Sequence, residues 1–110
     1  TGETAEAVVK RESIEESGCI ITDLIPLYDF LVSPGGTTER IALFCGRVDA
    51  AAANGIHGAS EEGEDIKVHV VTFDTAMALL KSQKITAASA IIALQWLALN
   101  RDEVRARWTT

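Results

Sequence analysis

Residues 10–18 read KRESIEESG and place three carboxylates, Glu12, Glu15 and Glu16, beside Arg11. Successive residues of an α-helix turn by about 100°, so positions three, four, seven and eight apart share a face. Ala5, Val8, Val9, Glu12 and Glu16 then lie on one stripe, with Glu15 at its edge. The acids therefore continue an apolar stripe. Carboxylates turned toward a protein body are driven to the protonated form unless positive charge meets them. Arg11 cannot balance three acids, whereas a hard divalent cation can: Mg²⁺ takes a few carboxylate oxygens and completes its shell with water and substrate phosphates. The plainer alternative is a solvated, salt-bridged helix face, the usual state of charge on a helix. A second acidic group, Glu61, Glu62 and Glu64, lies in AAANGIHGASEEGED. Loops of that length are functional or disordered, and most acids in them are simply solvated. His57 and His69 have no second ligand spaced to join them at a metal.

The carboxylates need a helix to hold them, and the sequence supplies its two ends. Thr4 can cap it, Glu6 falls in its first turn, and Gly18 stands where a left-handed residue is wanted, which predicts a helix over 5–17. Lys10, Glu6 and Ser17 take the angle facing water, and apolar Ile14 and Ala7 suggest packing on a second flank. CIITDLIPLYDFLV reads as extended, with Pro26 marking an edge or a bulge. SPGGTTE is a turn, in which Pro34 fixes one φ and Gly35 and Gly36 permit positive φ. RIALFCGRV has apolar residues on both faces and reads as a strand covered on both sides. IKVHVVTF is the clearest strand, with Ile66, Val68 and Val70 on one face. Asp74 is expected to cap a short helix to about Ser82. Ala87 to Leu99 reads as a buried helix, apolar nearly all round, and a separate short helix covers Arg101 to Trp108. Trp96 and Trp108 read as core or interface packing.

The chain has 110 residues, enough for one modest core, and a formal net charge of −6 with its basic residues scattered. Nucleic acid is a poor partner for such a surface. The longest apolar run, 87–99, falls short of the roughly 20 residues that span a bilayer, so no membrane segment and a soluble, cytoplasmic protein are expected. Cys19 and Cys45 lack CxxC or metal-type spacing and read as reduced core thiols. The abrupt start, without Met or leader, suggests a fragment.

Glu3, then seven residues, then Arg11, Glu12, Ile14, Glu15, Glu16, Gly18 and Cys19 closely resemble the Nudix box, Gx5Ex7REUxEExGU, in which U is a bulky apolar residue. Ser13 departs from the first U, and the initial Gly would precede residue 1. Pro34 stands 16 residues beyond Gly18, as does the proline that marks the ADP-ribose pyrophosphatase branch. GIHGASEEGEDIKVHVV and IIALQWL also look like that branch's bacterial members. The resemblance implies an α+β fold, a Nudix α/β/α sandwich with a mixed sheet. Residues 1–110 would be the C-terminal part of one such domain, lacking its N-terminal part and expected to be inactive in isolation.

The resemblance also implies the chemistry. Glu12 and Glu16 would be the primary ligands of Mg²⁺, or of Mn²⁺ in its place, with Glu15 in the same cluster. Arg11 would orient the glutamates, Glu3 would pair with Arg11, and Gly18 would shape the turn into the next strand. The catalytic base would come from the later loop, with Glu62 favoured and Glu64 or Glu61 as substitutes. Ser33, Pro34 and Gly35 would approach the substrate, a plain hairpin turn being the equal alternative. The reaction implied is hydrolysis of ADP-ribose to AMP and ribose 5-phosphate by a homodimer. Two alternatives remain: another nucleoside diphosphate sugar such as GDP-mannose as substrate, or a non-catalytic Nudix-like binding module.

Overall fold

A computed structural model describes residues 2–52, 56–57, 66–67 and 69–109. Its elements run α1 (Ala5–Ser17), β1 (Asp23–Leu31), β2 (Arg40–Arg47), a 3₁₀ turn (Ala50–Ala52), β3 (Ile56–His57), β4 (Ile66–Lys67), α2 (Phe73–Lys81) and α3 (Ala88–Trp108). This is the α+β mixture expected. The described residues form two sheets of two strands, β1 with β2 and β3 with β4. The chain divides into two compact units, Thr1–Leu24 with Gly46–Val70 and Ile25–Cys45 with Val71–Thr110.

In the first unit α1 takes the predicted bounds, because both of its ends are specified locally. Thr4 is extended (φ −75°, ψ 160°) and its hydroxyl accepts from the Ala7 N–H at 3.1 Å, satisfying one of the helix's unpaired donors. Gly18, at φ 74°, ends it with its N–H on the Ile14 carbonyl, a conformation that costs glycine nothing. β3 and β4 pair antiparallel, Ile56 opposite Lys67 and His57 opposite Ile66, and α1 packs beside both. Part of the expected loop is thus the 3₁₀ turn and β3. Among its described residues, the expected strand IKVHVVTF is strand at Ile66 and Lys67. Val68 lies outside the described residues, while His69, Val70 and Val71 are exposed and irregular. A run of β-branched residues supplies propensity, but propensity without a paired neighbour does not make a strand. Gly46 approaches Ile21 so closely that an added Cβ would stand 3.3 Å from its side chain.

In the second unit the connection from β1 to β2 is closed by the Val32 N–H on the Glu39 carbonyl at 3.0 Å. The turn chemistry differs from that expected: among the described glycines positive φ occurs at Gly2 and Gly18, not at Gly35 or Gly36. Instead the Gly36 and Thr37 N–H groups donate to the Ser33 carbonyl, at 3.0 and 2.9 Å. Pro26 is exposed within β1. Consecutive Leu43, Phe44 and Cys45 are half-buried, so both faces of β2 are partly covered there, while Ala42 and Tyr28 remain exposed.

Three helix expectations need correction. Thr72, not Asp74, caps α2: its hydroxyl accepts from the Thr75 N–H at 3.1 Å, and Asp74 sits inside the first turn. A hydroxyl three residues before its donor has the capping geometry that Asp74 lacks. The last two helices are one, α3, running 21 residues. Nothing at Asn100 and Arg101 breaks a helix, and the Asn100 side-chain amide donates to the Trp96 carbonyl at 2.9 Å, an interaction helical backbone allows. Nor is α3 buried all round, since Val104 is its buried residue and Leu99 is 83% exposed. Trp96 and Trp108 are half-buried. α2 packs on α3, where Ala76 is buried and the Arg101 guanidinium lies 4.1 Å from the centre of the Phe73 ring, a cation–π contact.

Candidate functional site

The helix bearing the carboxylates distributes its side chains largely as its periodicity requires. Val8, Val9, Glu12, Ser13, Glu16 and Ser17 are half-buried, whereas Glu6, Lys10, Arg11 and Glu15 are exposed. Glu12 and Glu16 therefore share the partly covered face with the valines, and Glu15 stands at its margin. Four positions differ. Ala5 and Ala7 are exposed, Ile14 is 52% exposed, and Ser17 is half-buried instead of facing water. A second packed flank is thus absent from α1 among the described residues, and no side chain of the helix is fully buried.

Arg11 organises the exposed side of this cluster. Its guanidinium donates twice to Glu3, Nη2 to Oε1 at 3.1 Å and Nε to Oε2 at 3.4 Å. This two-pronged pairing fixes the plane of the guanidinium as well as its distance. On its other side Nη1 stands 3.6 Å from the Glu15 carboxylate, one helical turn away. The hydrogen bond and charge of Glu3 push the Arg11 pKa above its ordinary value, against a small opposing effect of burial, with further help from Glu15 and Glu12. The neighbouring acids thus favour the charged guanidinium. The expected pairing of Glu3 with Arg11 is present, and Arg11 also pairs with Glu15.

Among the described residues, no three side chains of His, Cys, Asp or Glu come together to hold a metal ion. The donor chemistry nevertheless suits Mg²⁺. Glu12 and Glu16 offer hard oxygens one turn apart on a half-buried face, and Mg²⁺ is commonly held by one or two carboxylates with water and phosphate completing its six positions. The residues thus fit an ion shared with a phosphorylated ligand, and the described residues do not form a cage closed by protein alone. His69 is exposed outside any strand, and His57 lies in β3, not in a loop.

Glu61, Glu62 and Glu64 lie outside the described residues. Ser33, Pro34 and Gly35 form an exposed turn in the second unit. A cavity of about 570 Å³ beside α2 is lined by Met77, Leu80, Ile91 and Gln95, with Lys81 its charged residue, and so lacks the acids that hydrolysis needs. Both cysteines are free thiols, Cys19 buried and Cys45 half-buried, and burial raises the Cys45 pKa.

Sequence reasoning missed the fastening at the end of α1. The Ser13 hydroxyl donates to the Cys19 carbonyl at 3.0 Å, the Ser17 hydroxyl donates to the Ser13 carbonyl at 2.6 Å, and the Cys19 N–H donates to the Ser17 hydroxyl at 3.3 Å. The available signal was the pair of serines four residues apart just before the helix-ending glycine, where hydroxyls bond back to the backbone.

No protein-family model matches the chain. It is 47% identical over 107 residues to the ADP-ribose pyrophosphatase of Escherichia coli (strain K12), covering 97% of this chain and 51% of that protein. It is 48% identical over 107 residues to the ADP-ribose pyrophosphatase of Haemophilus influenzae, covering 97% of this chain and 49% of that one. The GDP-mannose pyrophosphatase of Enterobacter sp. (strain 638) is 34% identical over 96 residues, covering 86% and 49%. The chain spans about half the length of the curated relatives it matches.

Proposed function

The chain belongs to the Nudix hydrolase family, and we propose that the protein carrying it hydrolyses the pyrophosphate bond of ADP-ribose and related ADP-sugars with Mg²⁺, or Mn²⁺ in its place. Water and ADP-ribose would give AMP and ribose 5-phosphate. The observation that carries this reading is the arrangement on α1: Arg11 clamped by Glu3 and reaching Glu15, beside Glu12 and Glu16 on a half-buried face. Identity of 47% to an ADP-ribose pyrophosphatase, against 34% to a GDP-mannose pyrophosphatase, favours the adenine nucleotide.

In this reading Glu12 and Glu16 hold the cation from the protein side, with Glu15 at the margin of the same cluster. The chemistry supplied by bound Mg²⁺ is neutralisation of the phosphate oxygens and acidification of the attacking water. Arg11 sets the direction of the glutamates, and Glu3 holds Arg11. The water's proton passes to a carboxylate of the acidic loop, Glu62 first and Glu64 or Glu61 otherwise, positioned only when the loop closes on substrate. Ser33, Pro34 and Gly35 contribute backbone contacts to the substrate. The protein acts as a homodimer, and its free thiols support a reducing cytoplasmic compartment.

Glu12→Gln and Glu16→Gln in the complete protein are each expected to lower Mg²⁺-dependent release of AMP by at least about a hundredfold, as loss of preorganised charge stabilisation does elsewhere. Full turnover by either variant would rule out the ligand assignment. Product analysis with ADP-ribose and GDP-mannose in parallel tests the substrate, and binding of either without turnover would indicate a non-catalytic module.

A further inference from the structure

The Nudix box has a bulky apolar residue where this chain has Ser13, and the structure gives that serine a different task. Ser13 and Ser17 form a column beside the column of Glu12 and Glu16, all four half-buried on one face of α1. The Ser13 hydroxyl reaches past the helix end to the Cys19 carbonyl, and the Ser17 hydroxyl joins the Cys19 N–H to the Ser13 carbonyl. Both backbone polar groups of Cys19 are thereby tied to the last turn. The same turn is closed by the Gly18 N–H on the Ile14 carbonyl, but α1 contains no fully buried side chain to anchor it, and Gly18 is the residue best able to flex. Helix termini with unpaired carbonyls fray unless something satisfies them.

We propose that Ser13 and Ser17 are positioning residues, a hydroxyl latch that holds the last turn of α1 and so keeps Glu12 and Glu16 in register for a divalent cation. The inference rests on the ligand assignment proposed above. It goes beyond that assignment because neither serine is among the assigned ligands and both hydroxyls are engaged with backbone groups. Groups that orient metal ligands commonly change metal affinity by 10-fold or more when removed. An apolar residue at position 13 could fill the same space but could not tie the Cys19 carbonyl.

The test is Mn²⁺ binding to the complete protein without nucleotide, followed by electron paramagnetic resonance, alongside the Mg²⁺ dependence of ADP-ribose hydrolysis. Ser13→Ala is expected to weaken Mn²⁺ binding about 10-fold. The Mg²⁺ activation curve should shift by the same factor, with KM for ADP-ribose at saturating Mg²⁺ unchanged. Ser13→Thr, which keeps the hydroxyl, should restore both. If Ser13→Ala does not fold, Ser17→Ala opens the other half of the latch and is held to the same expectation. Wild-type Mn²⁺ affinity in the alanine variants, with Glu12→Gln and Glu16→Gln abolishing it, would overturn the latch and leave the ligand assignment standing. Wild-type affinity in the glutamine variants would instead remove the ligand assignment, and the latch with it.

Discussion

Helices α1 and α2 both end by turning left-handed, α1 at Gly18 with φ 74° and α2 at Gln83, one residue past its cap, with φ 63°. At Gln83 the backbone is held by the Gln83 N–H on the Leu80 carbonyl at 3.1 Å and the Lys84 N–H on the Leu79 carbonyl at 3.0 Å. These are the paired bonds of a Schellman ending, which usually places glycine at the left-handed position. At Gly18 the conformation is free of steric cost, and serine hydroxyls supply the fastening. A side chain with a Cβ is tolerated at Gln83 because two backbone bonds compel it. The difference teaches that a helix stop is specified by where its last carbonyls find donors, and the residue type only sets how much strain the stop contains.

Exchanging the two residues tests that reading. Gly18→Gln is expected to cost about 1–2 kcal/mol of stability, the usual price of left-handed backbone for an L-residue. Urea unfolding of the complete protein measures it, and a neutral result would break the contrast. The two helix starts form a control. Thr4 and Thr72 cap by the same hydroxyl-to-amide bond, each 3.1 Å long. Thr4→Ala and Thr72→Ala should each lose about 1 kcal/mol, and equal losses in thermal denaturation would confine the difference between the helices to their C-terminal ends. Gln83→Gly should gain less than about 1 kcal/mol, because relieved strain is partly offset by the freer unfolded chain. A loss on Gln83→Gly would mean that the Gln83 side chain has a contact worth more than its strain.

The same contrast explains what was legible in the sequence. Features set by near neighbours were readable: the bounds of α1, the cap at Thr4, the left-handed Gly18, the Glu3–Arg11 pair and the sharing of one face by Val8, Val9, Glu12 and Glu16. Each depends on side-chain spacing within a few turns of one helix. The end of α2 near Ser82 was readable, but the left-handed turn at Gln83 was not, because glycine is its signal and the backbone bonds that replace it carry no side-chain signature. Thr72 was passed over for Asp74, two good capping residues two positions apart, and only geometry chooses between them. The union of the last helices at Asn100 failed for a related reason, since a residue that favours caps and turns is also accommodated mid-helix when its amide finds a carbonyl. Of the candidate site, the charged residues announced themselves by type, whereas Ser13 and Ser17 act through bonds to backbone that no pattern of charge reveals.

The tie to Cys19 has one more consequence. The Cys19 thiol is 2% exposed, and its sulfur lies 3.7 Å from the Ser17 carbonyl. An alkylating reagent can reach that sulfur only during excursions in which the segment after α1 swings free. Its rate of modification is therefore a clock for those excursions, built into the chain and legible by mass spectrometry without an engineered label.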